Sequence, residues 1–336
     1  MAEYLLKRLV LGIFTLLAIL LVSYTMLRLA PGDPTRSTMF GENTAGNALN
    51  AEKGELAGTS ALRQELNLDK PVFIGFCLWL KQAVKGDFGR SASVDPGRPV
   101  TTMILEKLPV TLSLNIWAVI FTYLLAIPLG VYGALKAGSF FDEASALTVF
   151  ILYSLPVMWV GLFLQALFCE GGMFPLLPLK GVAAENLDLN IWQLQWEALR
   201  YRILPVLCLT YGGFAGLSRY TRNSMLEVIH ADYIRTARAK GVPPFQVTWH
   251  HAFRNALITL ITLFGGILPA LISGSVLVEY IFNIPGMGSL SLLAMSSRDY
   301  PLQMALFAFT GFLTLSGILL SDLLYAAADP RIKLNR

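Results

Sequence analysis

The 336-residue chain is poor in charge: only 14% of its residues are Asp, Glu, Lys or Arg. A soluble globular domain is nearer one quarter charged, so this deficit excludes an ordinary water-soluble fold. Cysteine is also scarce. Cys77, Cys169 and Cys208 are odd in number and lack metal-site spacing. A disulfide framework is therefore not expected, and all three read as small apolar fillers. No G-x-x-x-x-G-K-[ST] phosphate loop occurs, which argues against ATP hydrolysis by this polypeptide itself. The three histidines, His230, His250 and His251, do not form H-E-x-x-H, and no G-x-S-x-G elbow is present. Zinc hydrolysis and serine hydrolysis lose their usual signatures with them. No catalytic or metal-ligating residue is assigned.

Apolar runs fill the space that charge leaves. Hydrophobic residues make up 55% of the chain, and the mean hydropathy is +0.58. Lys7 and Arg8 precede a run from Leu9 to Leu27. A secretory signal would have a core of about 7–15 residues and a small-residue cleavage site. This run is longer and closes on Arg28-Leu29-Ala30-Pro31, so it predicts an uncleaved first transmembrane helix, residues 1–29, with its N-terminus inside. Residues 30–108 form a long polar segment with nine Lys/Arg and nine Asp/Glu, a length largely exempt from the positive-inside rule. Within it, Leu62, Leu66, Phe73, Phe76, Cys77 and Leu80 suggest one buried helical face.

Five further spans are predicted in residues 109–336. The second, 109–135, carries Ala126, Gly130 and Ala134 at four-residue spacing, a face for close helix contact. Pro128 should kink that span or break its hydrogen-bond ladder. The third, Ala144 to Phe168, is interrupted at Ser154-Leu155-Pro156. An amphipathic surface segment, Trp192 to Tyr201, precedes the fourth span, which starts near Ile203, contains Pro205, and carries Gly212 and Gly216 as a helix-packing pair. The fifth runs from Ala256 to Phe282 with Pro269 inside it, and the sixth from Leu302 to Ala327. Pro128, Pro156, Pro205 and Pro269 are candidate kinks for a gated pathway.

Between the fourth and fifth spans lies a polar handle, residues 218–255. Its periodicity predicts a helix up to Lys240, a stop at Gly241 and a restart after Pro243 and Pro244. Glycine suits the left-handed position past a helix end, proline suits the first turn of the next helix, and Arg235, Arg238 and Lys240 complement the C-terminal dipole. Charge counting orients the chain. The segments 1–8, 136–143, 218–255 and 326–336 hold twelve Lys/Arg, against four in the two shorter loops of the other side. Both termini and the handle are thus predicted to be cytoplasmic. Six helices, all α, is the expected fold.

The order Asp232-Tyr233-Ile234-Arg235-Thr236-Ala237-Arg238-Ala239-Lys240-Gly241, followed by His251-Ala252-Phe253-Arg254-Asn255-Ala256, resembles the loop signature of ABC importer permeases. It is most similar to the dipeptide/oligopeptide/nickel branch. Pro31-Gly32-Asp33-Pro34, Gly86-Asp87-Phe88-Gly89-Arg90-Ser91, Pro285-Gly286-Met287-Gly288 and Arg298-Asp299-Tyr300 resemble that family too, specifically the member with the long first external segment. The resemblance departs from the broad superfamily pattern, which has Glu-Ala-Ala where this chain has Arg235-Thr236-Ala237. The resemblance implies a transport subunit of the bacterial inner membrane with no cofactor of its own, ATP and Mg being used by partners. Those partners are two ATPase subunits, a second homologous permease and an external solute-binding protein; a nucleic acid is not among them. It further implies that Asp232, Tyr233, Arg235, Thr236, Ala237, Arg238, Lys240 and Gly241 form the ATPase-coupling helix. Peptides are the implied solute, with no substrate contact assignable. The rival class is an ion-coupled secondary transporter, which would need ionisable groups within the spans. Asp322 and Glu279 are the candidates, both better read as interfacial or helix-packing residues.

Overall fold

The computed structural model describes residues 2–29, 67, 69–179, 181, 191–263, 267, 270, 271 and 275–328. Among these the secondary structure is helical, with only isolated bridges at Arg90–Pro99 and Cys169–Leu177. Three helices are long and apolar enough to cross a membrane: α1 (Ala2–Leu29), α3 (Val100–Leu135) and α11 (Tyr300–Ala328). A fourth candidate is broken. Helices α4 (Phe140–Ser154) and α5 (Val157–Phe168) meet at 96°. The cause is local: proline disfavours the helical conformation in the residue before it, and Leu155 is extended at φ −81, ψ 126. The carbonyl left free there accepts a hydrogen bond from Tyr211 Oη at 2.9 Å.

The other intrahelical prolines do not interrupt their helices. Helix α3 begins at Val100, nine residues before the expected span, and continues unbroken past Pro128. Helix α6 (Ile191–Ile229) runs through Pro205 without a stop. The predicted surface segment Trp192–Tyr201 is therefore the first part of the same helix as the fourth span. Pro205 is fully buried, and Leu204 and Val206 beside it are 4% and 7% exposed. Close packing on both sides offsets the lost hydrogen bond. Pro269 lies outside the described residues, as do Leu62, Leu66 and the C-terminal tail from Asp329.

Two compact units are present. The first comprises Met1–Pro109 and Ser289–Leu315. Its core joins Leu20 and Tyr24 of α1, Phe76 of α2 (Val72–Ala83) and Met304 of α11. The expected face of α2 is corrected here. Phe76 is buried, but Phe73 is 65% exposed and Cys77 is exposed. Phe76 and Leu80 lie on the packed stripe as expected, but Val72 and Trp79 complete it in place of Phe73 and Cys77.

The second unit comprises Val110–Gly288 and Ser316–Arg336. The small-residue stripe expected on α3 is real: Ala126 and Ala134 are buried at 0% and 4%. A Cβ added at Gly130 would sit 2.6 Å from Ser218 O and from Thr221 Cβ on α6. Gly130→Val is thus expected to destabilise the chain by about 1–3 kcal/mol through overpacking, read as a lower thermal midpoint in detergent. Gly133→Ala, whose added Cβ would meet nothing nearer than Asp142 Oδ1 at 3.5 Å, should unfold like the parent. Equal midpoints for the two variants would contradict the close approach.

Candidate functional site

The handle is not one helix up to Lys240. Helix α6 ends at Ile229, Ala231 is extended at φ −69, ψ 148, and a separate eight-residue helix, α7, spans Asp232–Ala239. The break lets α7 lie back on the body of the second unit. Ile234 and Ala237 enter a cluster with Val131 and Ala134 of α3, Met225 of α6, and Val247, Ala252 and Ala256. Ile234 and Met225 are fully buried. At about 25 cal/mol per Å² of apolar area, a fully buried Ile contributes roughly 1.5–3 kcal/mol, which an eight-residue helix could not supply by itself. Asp232 in the first turn and Arg238 in the last match the signs of the helix dipole.

The opposite face of α7 is exposed along Asp232, Tyr233, Arg235, Thr236, Arg238, Ala239 and Lys240. Its one ion pair, Arg235–Asp232 at 3.7 Å, joins side chains that are 73% and 97% exposed. Such a pair is screened and contributes little, so these charges remain available to a partner. At the end of α7, Gly241 has φ +76. Its N–H donates to Arg238 O at 3.0 Å, and the N–H of Val242 donates to Ala237 O at 3.2 Å. That pair of bonds is a Schellman closure, and the left-handed position within it is why glycine stands there.

The restart after the two prolines is also seen, with a change of pitch. Pro244 opens a short turn, and Val247–Phe253 forms a π-helical segment before α8 (Arg254–Leu263). Phe245, Trp249 and Phe253, each four residues from the next, share one side, with ring centroids 6.4 Å apart for the first pair and 5.0 Å for the second. Phe245 is 73% exposed. The four-residue spacing of these aromatics, following the Pro-Pro-Phe start, is itself a helix-face signal in the sequence. Exposed aromatics next to arginines are the composition of a protein-binding surface. His250 and His251 stand edge to face at 5.5 Å. Among the described residues no third His, Cys, Asp or Glu joins them in a group that could hold a metal.

Stiff contacts tie this surface to the long helices. Arg222 Nε and Nη2 donate to Asp142 Oδ1 and Oδ2 at 2.6 and 2.7 Å. Asp142 is buried and also accepts from Gly138 N, so the pair fixes α6 against the start of α4. Ser224 Oγ donates to Ala256 O at 3.1 Å. Pro128 and Pro205 stand inside α3 and α6, and Pro156 stands at the α4–α5 corner.

Residues 126–334 match the family described as binding-protein-dependent transport system inner membrane component, and residues 1–115 match the N-terminal region of such membrane components. This chain belongs to that permease family. The permease is 38% identical to the oligopeptide transport system permease protein AppB of Bacillus subtilis, covering 99% of this chain and all of that one. It is 32% identical to the peptidoglycan transport system permease protein YejB of Agrobacterium fabrum, over 100% and 99% of the two chains. The fold is similar to that of a chain of the inward-facing MetNI methionine ABC transporter. The TM-score is 0.52 and the identity 17%, over 68% of this chain and 96% of that one. The permease is thus an inner-membrane ABC transporter subunit of a binding-protein-dependent import system, a class that works with ATPase and substrate-binding partners.

Two acidic residues of the permease have clear structural duties. Glu279, on α9 (Val276–Ile281), is 2% exposed and accepts from Thr111 Oγ1 at 2.9 Å. That hydroxyl in turn accepts from Met287 N at 2.8 Å. A Cβ at Gly286 would come within 2.6 Å of the carboxylate, so the Pro-Gly-Met-Gly turn wraps it closely. Asp299 is fully buried. Its Oδ2 accepts from Ser91 Oγ and from the N–H groups of Ala92, Ser93 and Val94, the three backbone donors at 3.0–3.1 Å. Its Oδ1 accepts from Leu302 N at 3.2 Å. The sequence marked Arg298-Asp299-Tyr300 and Gly89-Arg90-Ser91 separately; their union, across 208 positions, carries no local signal.

Proposed function

We propose that this permease forms half of the translocation pathway of an ATP-driven importer of peptides or similar small solutes. In this reading the chain has six transmembrane helices with both termini cytoplasmic: the first at 1–29, an external segment at 30–108, and a five-helix core at 109–336. It pairs with a second homologous permease, two ATPase subunits and an external solute-binding protein. The ATPases bind ATP and Mg; the permease contributes no active site. Asp232, Tyr233, Arg235, Thr236, Ala237, Arg238, Lys240 and Gly241 form the coupling helix, seated in a groove of an ATPase subunit. Pro128, Pro156, Pro205 and Pro269 shape the gated pathway.

The observation that carries this reading is the handle itself. Its helix is charged on its open face and anchored by Ile234 and Ala237 to α3, α6 and α8. A force applied at α7 is therefore transmitted to those helices rather than absorbed in a loose loop. Coupling requires the ATPase to bind two permease states with different affinity, and a rigid handle is what makes the states distinguishable. The peptide assignment draws on the names of the AppB and YejB relatives. An ion-coupled secondary transporter has no use for such a handle, and the Glu279 carboxylate is engaged by Thr111.

Reconstitution decides between the two. The permease pair, its ATPases and its binding protein in proteoliposomes should take up tripeptides only when ATP and binding protein are both supplied. Solute accumulation from an ion gradient by the purified chain alone would overturn the reading.

A further inference from the structure

Helix α6 presents one open face that the contacts already described leave unused. A Cβ added at Gly212 or Gly216 would meet no heavy atom within 4 Å. The pairing expected of these two glycines as a packing motif is therefore absent within the described chain. Above them lies a cavity of about 510 Å³, walled by Asn115, Thr122, Tyr123 and the glycine face. Gly216 and Tyr220 are shared with a second cavity of about 350 Å³, which adds Tyr153, Arg219 and Asn223. Arg219 and Asn223 are shared again with a third, of about 530 Å³, between α4 and α6. Shared lining residues link the three into a channel along α6, apolar at the glycine end. Among the described residues Arg219 is the one charged residue lining the middle cavity, and the far one is lined by Glu143 as well as by Arg219 and the Asp142-paired Arg222.

Arg219 differs from its neighbour Arg222. Arg222 is committed to Asp142 through two short bonds. Arg219 is exposed, and among the described residues no carboxylate lies within ion-pairing distance of it. Tyr153 and Tyr220, 72% and 55% exposed, offer phenol groups beside it. Arg219 stands at the start of the polar handle, just past the apolar run of α6, and its guanidinium is matched to a carboxylate or phosphate.

We propose that this channel is a solute site of the permease in which Arg219, with Asn223, Tyr153 and Tyr220, holds the terminal carboxylate of a short peptide whose body lies along Gly212 and Gly216. The proposal rests on the importer reading above and adds the contact residues. An anion on an apolar body is also the chemistry of an anionic phospholipid, so the test separates the two sources.

The assembled permease–ATPase complex is placed in nanodiscs of phosphatidylcholine alone or with phosphatidylglycerol. A tripeptide library is then bound, with carboxyl ends free or amidated. The wild type should retain free-carboxyl peptides about tenfold better than amides, the span of one charge-assisted contact, in both lipid mixtures. Arg219→Gln should bind both kinds equally, and Arg219→Lys should keep part of the preference. A wild type that does not distinguish the two ends overturns the proposal. So does phosphatidylglycerol co-purifying with the wild type but not with Arg219→Gln while peptides go undistinguished, which assigns the channel to lipid. Stimulation of ATP hydrolysis by the binding protein in the wild-type complex tests the importer reading separately. Its absence would remove that reading, whereas a missing end-group preference removes only this one.

Discussion

Replacing Gly241 with proline is expected to abolish ATP-dependent uptake while the permease still inserts in the membrane. Proline fixes φ near −65°, whereas Gly241 sits at +76. The substitution also deletes the N–H that donates to Arg238 O. The α7 terminus must then open, and the orientation of Arg235, Arg238 and Lys240 is lost. A graded version sharpens the test. Alanine in the left-handed region costs about 1–2 kcal/mol, so Gly241→Ala should lower the population with an intact closure roughly tenfold. No atom lies within 4 Å of an added Cβ there, so a defect in Gly241→Ala comes from backbone conformation and not from a clash. Reversing Arg235 and Arg238 to glutamate probes the exposed charges instead. It should release the ATPase subunits during purification and leave the fold intact, because the Arg235–Asp232 pair is solvent-exposed. Wild-type uptake by Gly241→Pro would mean that α7 is not the coupling element.

Asp299→Ala should have the largest effect on stability. One carboxylate satisfies five donors. Ser91 and Ala92 are buried as well. A buried donor left without an acceptor costs about 1–3 kcal/mol, so two such losses give roughly 2–6 kcal/mol, against a typical total of about 5–15 kcal/mol. Asp299→Asn keeps one oxygen for the nest and should fall between. The first unit would show the damage as new trypsin cleavage after Arg90, which borders the nest; Arg98 precedes Pro99 and is not a trypsin site. Arg90 is otherwise held by a bond to Gly97 O at 2.7 Å. Trypsin resistance equal to the wild type would show that the nest does not hold this loop.

Features written in nearby residues were legible. The stop at Gly241 follows from what glycine alone can do, and the corner at Pro156 from the restriction on Leu155. The Ala126-Gly130-Ala134 stripe follows from helical spacing. Features that depend on a distant partner were not legible. Pro205 sits in an unbroken helix because its neighbours are buried on both sides. The break at Ala231 exists so that Ile234 can reach Val131 and Met225, contacts invisible to local propensity. Gly212 and Gly216 have packing-motif spacing yet line an open cavity, since spacing reports a possible contact and not a made one. Asp299 finds its donors in a loop more than half the chain away.

The hydroxyl of Tyr211 that holds the Leu155 carbonyl also limits which parts can slide. At a break in a helix a bare carbonyl needs another donor or a water; here it is moored to the neighbouring rod. Helices α4, α5 and α6 must then travel as one piece, Arg222 and Asp142 clasping them at one end and Tyr211 at the corner. Within the second unit, relative sliding then falls to α3 and to α8, which leaves the handle at Arg254.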